Sequence, residues 1–75
     1  SALAAGTAQA VKEAAKGMSL DDVNVTVTHI HEATFERRIE LVGTFSATEK
    51  ATLLAAGKDA EIVSLISSAH IVDVF

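Results

Sequence analysis

Apolar residues in this 75-residue chain change their period three times, and that pattern limits the folds open to it. Near the start, Leu3, Thr7, Val11 and Ala14 or Ala15 recur at helical spacing, with Lys12, Glu13 and Lys16 on the other side. After Asp21-Asp22 the period falls to two. Val23, Val25 and Val27 share one face, and Asn24, Thr26 and Thr28 the other. Phe35, Ile39 and Leu41 resume the alternation over about 35–43, opposed by Glu36, Arg38 and Glu40. A helix followed by two half-buried strands is therefore expected. In a hairpin, odd positions must pair with odd positions to keep both apolar sets on one side. That rule suggests Val25 opposite Leu41, Val27 opposite Ile39, His29 opposite Arg37 and His31 opposite Phe35, around a Glu32-Ala33-Thr34 loop. No glycine marks this loop, so a longer or irregular turn fits equally.

The remaining boundaries follow from local chemistry. The first helix is expected over 2–17, with Gly17 as its C′ stop. Gly43-Thr44 ends the second strand, and Ser46-Ala47-Thr48-Glu49 forms a capping box for a helix over about 47–56, stopped by Gly57. Asp59 can cap a third, short helix with Ile62, Leu65 and Ile66 inward, broken at Ser67-Ser68. Residues 70–75 read as a final strand. The expected order is α-β-β-α-α-β in one α/β (α+β) domain over 1–75: a three-stranded, mostly antiparallel sheet with helices on one face.

Composition narrows the partners. Hydrophobic residues make up 49% of the chain and mean hydropathy is +0.36, rich for a domain whose size allows only a thin core. A second subunit is the simplest place to bury the excess, so a homo-oligomer is expected, a dimer through the Ala-rich first helix and the sheet edge. Net charge is −4 and the pI is about 5.1, which disfavours nucleic acid and anionic membrane surfaces. No apolar run approaches the ~20 residues of a membrane span, and no basic segment precedes an apolar start as in a signal peptide. Cytoplasm is the expected compartment. The chain has no cysteine, which excludes disulfides, thiolate catalysis and cysteine metal sites. No cofactor is expected.

Against this background the opening Ser1-Ala2-Leu3-Ala4-Ala5-Gly6-Thr7-Ala8 and the acidic lead into a Val-alternating strand resemble the OsmC/Ohr family of hydroperoxide-reducing proteins. So do Arg37-Arg38-Ile39-Glu40-Leu41-Val42-Gly43-Thr44-Phe45-Ser46 and Glu49-Lys50-Ala51-Thr52-Leu53-Leu54-Ala55-Ala56. The resemblance covers nearly all of this chain but only the C-terminal half of a family domain. It implies an OsmC-like half-fold. In that family two cysteines act: a thiolate attacks the peroxide oxygen, and a second thiol resolves the sulfenic acid as a disulfide. The matching positions here are Gly6 and Asp59, and neither residue can do this chemistry.

Other site candidates are sparse. His29 and His31, at i and i+2 on a strand, would present both imidazoles to one face, with His70 or Glu32 as a third metal ligand. The plainer expectation is a hairpin end in solvent. Arg37 has the parity of the apolar face. An anion or substrate role is open to it, but snorkelling at the sheet edge is favoured. Ser64, Ser67 and Ser68 with His70 lack a nucleophile turn or oxyanion loop. The element order also resembles a KH module and a BON-like module. Gly57-Lys58-Asp59-Ala60 has only the first glycine of a KH-type Gly-x-x-Gly loop. The functional expectation is a non-catalytic, self-associating structural domain. The alternative is a stress-related hydroperoxide reductase relative, inactive for want of both thiols.

Overall fold

The computed structural model describes residues 1–60 and 70–75. Helix α1 spans Ala2–Ala14, strand β1 Ser19–His31, strand β2 Thr34–Thr44, helix α2 Ala47–Asp59 and strand β3 His70–Val74. The strands form one sheet in the order β1-β2-β3. β1 runs antiparallel to β2 over a long tract, and β3 runs parallel to β2 over its first half. The α+β class expected from the sequence is what the chain adopts, including the helix after the second strand. The third helix, expected beyond Asp59, falls outside the described residues.

Helix α1 starts at Ser1, whose hydroxyl accepts the Ala4 N–H at 3.2 Å and so satisfies one orphan donor of the first turn. Its buried stripe is Leu3, Thr7 and Val11, continued by Ala15, as the spacing predicts. The helix itself stops at Ala14. The chain then turns through Gly17, at a φ of 84°, as the Met18 N–H returns to the Ala15 carbonyl at 2.8 Å.

The hairpin keeps the odd-to-odd parity but not the expected register. Val25 faces Ile39, Val23 faces Leu41, Val27 faces Arg37 and His29 faces Phe35, two residues away from the expected pairing. The cause lies at the turn. Only Glu32-Ala33 connects the strands, with Glu32 at a φ of 45°, and Ile30 is an extra residue bulged out between His29 and His31. A bulge of this kind changes the pairing sum without any glycine to announce it.

Helix α2 begins at the expected capping box. The Ser46 Oγ accepts from Glu49 N at 3.1 Å, and the Glu49 Oε1 accepts from Ser46 N at 2.9 Å. It does not stop at Gly57 but continues to Asp59. Gly57 is buried and faces inward. A Cβ there would lie 2.8 Å from Ile39 Cδ1 and 3.0 Å from Val11 Cγ2. The missing side chain thus lets α2 approach β2 and α1 closely, rather than ending the helix. Val11, Ala15, Val23, Ile39 and Leu53 form the core, with Met18, Leu20, Val25, Leu41, Phe45 and Leu54 around it.

Two glycines consequently differ in kind. Gly43 has a φ of 153°, and a Cβ there would run into the Ser19 carbonyl and lie 2.7 Å from the Phe45 ring. Gly43→Ala should lower unfolding free energy by about 2–4 kcal/mol, combining strain and backbone collision. Gly57→Ala meets only side-chain tips and gains ~1 kcal/mol of helix propensity, so a net loss of about 1 kcal/mol is expected. Urea denaturation of both variants checks the order; a stabilised Gly57→Ala would refute the close-approach account.

Candidate functional site

The most unusual side chain in the fold is Arg37, which is 1% exposed. β2 is the central strand, so Arg37 sits in the middle of the sheet on its inner face, between Val27 of β1 and Asp73 of β3. The snorkelling expected of it at a sheet edge does not occur. β3 closes that edge, and the C-terminal end of α2 caps the guanidinium. An unpaired charge in this position would be very costly, so its partners decide whether the fold is possible.

All five N–H donors of the guanidinium are used. Nε donates to Asp73 Oδ1 at 2.5 Å and Nη2 to Asp73 Oδ2 at 2.9 Å, a two-pronged ion pair. Nη1 donates to Thr7 Oγ1 at 3.2 Å and to the Ala60 carbonyl at 2.8 Å. Nη2 also donates to the Lys58 carbonyl at 2.6 Å. The two carbonyls lie at the C-terminal end of α2, where helix geometry leaves acceptors unpaired and the macrodipole is negative. Arg37 therefore caps α2 from the neighbouring sheet. Thr7 is fully buried and Asp73 nearly so, and no buried side-chain nitrogen or oxygen among the described residues lacks a partner.

Parity marks Arg37 as an inward residue, but its partner was not identified from sequence. A signal existed: in His70-Ile71-Val72-Asp73-Val74, Asp73 shares parity with Ile71, so one carboxylate stands on an apolar face. A lone inward Asp on one strand and a lone inward Arg on another are natural complements.

Gly6 and Asp59, the positions that the sequence resemblance sets against cysteines, lie beside this cluster. Gly6 precedes Thr7 on α1 and is half-buried. Asp59 is the last residue of α2, exposed, between the two residues whose carbonyls Arg37 engages. One guanidinium thus ties together the two segments that carry these positions. Neither position bears a thiol.

The histidines are arranged differently from the expected pair. His29 faces Phe35 and His31 faces Thr34, and these consecutive β2 residues point to opposite sides of the sheet. The Ile30 bulge therefore separates the two imidazoles instead of setting them on one face. His29 stacks on Phe35 with ring centroids 4.8 Å apart, and its Nε2 meets the Glu32 carbonyl. His31 lies 3.8 Å from the Glu32 carboxylate in solvent. His70 flanks Thr34 on the far side, and its N–H donates to the Ala33 carbonyl at 2.8 Å. Among the described residues no three His, Asp or Glu side chains converge as a metal site requires. Ser64, Ser67 and Ser68 lie outside the described residues.

Beyond the end of β3, nothing among the described residues pairs with the second half of β2 on that side. Ile39, Leu41, Lys50, Leu54 and Phe75 line a shallow groove of about 410 Å³ there. No helix of the described residues is long and apolar enough to cross a membrane. Comparison with known proteins finds no matching family model, no matching curated protein and no matching solved structure.

The energetic role of Arg37 can be measured. Arg37→Met leaves the Asp73 carboxylate buried and unpaired, and Asp73→Leu leaves the guanidinium so; each should cost about 3–5 kcal/mol. The double variant removes both charges and should be more stable than either single one, as a double-mutant cycle in urea would read. Added zinc should leave both the melting temperature and the histidine NMR shifts unchanged.

Proposed function

We propose that this chain is a non-catalytic, self-associating structural domain with an OsmC-like half-fold, and cytoplasm as its compartment. The observation that carries the reading is the full commitment of Arg37. The only buried charge pair among the described residues has every guanidinium donor engaged, in a setting with no thiol. A guanidinium poised for a substrate anion would keep at least one donor free or solvent-facing. Here the donors hold α1, the end of α2 and β3 onto β2. Self-association is supported by large apolar side chains left in solvent: Ile30, Val42, Val72 and Phe75 are 39–58% exposed. Sedimentation velocity over micromolar to submillimolar concentration tests this part, with a concentration-dependent shift to dimer expected and a monomer throughout refuting it.

A second reading, an inactive relative of thiol hydroperoxide reductases, is favoured by one observation. The Gly6-Thr7 and Lys58-Asp59-Ala60 segments meet at one side chain. Gly6→Cys with Asp59→Cys separates the readings. For a structural domain the double variant folds, as judged by circular dichroism, yet consumes no organic hydroperoxide above background. Turnover together with a reversible intramolecular disulfide would overturn the structural reading.

A further inference from the structure

β1 is an outer strand of the sheet, and among the described residues nothing pairs with its free side. It is also long, and its sequence Ser19-Leu20-Asp21-Asp22-Val23-Asn24-Val25-Thr26-Val27-Thr28-His29-Ile30-His31 contains no Lys, Arg or Pro. Those residues are the usual means of blocking an edge against a second strand. Irregularities at Asp21 and Ile30 bracket a regular tract from Asp22 to His29. Val25 and Val27 face the core side yet are only half-buried, whereas Val23 is buried. The tract is thus hydrogen-bonding surface with apolar side chains that lack full cover.

Its two ends differ in polar chemistry. Asp21 and Asp22 stand at one end, His29 and His31 at the other, and all four are exposed. Antiparallel pairing of this strand with itself brings acidic end to imidazole end at both termini; parallel pairing sets like on like. Only registers that pair odd with odd residues keep the valines on one face. The register centred on Val25 places Val25 on Val25 once, at the axis, and Val23 on Val27, Asn24 on Thr26 and Asp22 on Thr28 twice each; the bulged Asp21 then lies at the end of the tract, next to His29 of the other copy. A register centred one residue later, on Thr26, would set Val23 against His29.

We infer that β1 is the self-association edge: two copies pair antiparallel about Val25 into a continuous six-stranded sheet, with Asp21 of each copy beside His29 of the other. This rests on the self-association reading and narrows the expected contact, the Ala-rich first helix and the sheet edge, to one defined strand. The pairing would bury Val25 and Val27 and satisfy the outward N–H and C=O groups of the tract, as in other strand-addition interfaces.

The test uses the whole chain and two exposed positions. Asp21→Lys sets Lys beside His29 and should raise the dimer Kd by about tenfold or more. His29→Glu alone sets two carboxylates together and should weaken the dimer similarly. Asp21→Lys with His29→Glu sets Lys beside Glu and should recover most of the affinity. Circular dichroism checks that each variant is folded, and amide exchange by NMR should show alternate β1 amides gaining protection as concentration rises. A wild-type chain that stays monomeric would overturn the self-association reading itself. A dimer indifferent to all three variants, with β1 amides unprotected, would overturn the β1 edge alone. In that case loss of the dimer in Phe75→Glu would locate the contact at the open groove beside β2.

Discussion

One guanidinium holds this fold in register. Arg37 touches, through hydrogen bonds, a residue of α1, the last carbonyls of α2 and the carboxylate of β3, from its own place on β2. The apolar core is small: Leu3, Val11, Ala15, Val23, Ile39 and Leu53 are its buried members among the described residues. Non-directional packing of so few side chains says little about how elements should be oriented. A planar fork with five fixed donor directions says a great deal. The cost of burying it is met only when Thr7, Lys58, Ala60 and Asp73 are all in place, so misassembled states leave a charge uncompensated.

The effect is strongest on β3. A five-residue strand adding in parallel to β2 has few hydrogen bonds with which to choose its alignment. Its apolar residues would tolerate a shift of two, since Ile71 and Phe75 share the parity of Asp73. Such a shift would remove the carboxylate from Arg37 and put an apolar side chain against the guanidinium. The ion pair therefore adds discrimination between registers that hydrophobicity cannot supply. Its companion bonds to Lys58 and Ala60 also set where α2 ends relative to the sheet.

This explains which parts of the structure were legible in the sequence. Period and capping chemistry act within a few residues, so α1, the capping box at Ser46 and Glu49, and the inward parity of both hairpin strands could be read directly. The register, the true end of α2 and the Asp73 partnership depend on contacts between distant segments. Ile30 bulges and Glu32 takes a positive φ in a turn without glycine, so the pairing of the valine tract shifts by two residues while its odd-to-odd parity is kept. Gly57 reads as a helix stop by composition, yet serves as a gap through which Ile39 and Val11 reach the helix. The histidine pair was misplaced for the same reason as the register, because one bulged residue reverses the facing of everything beyond it.

Two further positions, 6 and 59, acquire a physical setting from this arrangement. Gly6 and Asp59 are each next in sequence to a group that Arg37 binds, so their nearness follows from the same contacts that hold the sheet and helices together. Those contacts are made by Thr7 Oγ1 and by backbone carbonyls, none of which depends on what side chain occupies position 6 or 59. Either position could therefore take another side chain without removing one of these bonds. Fold and side-chain identity are thus separable at these two positions: the Arg37 hub ties their segments together whatever residue stands at 6 or 59.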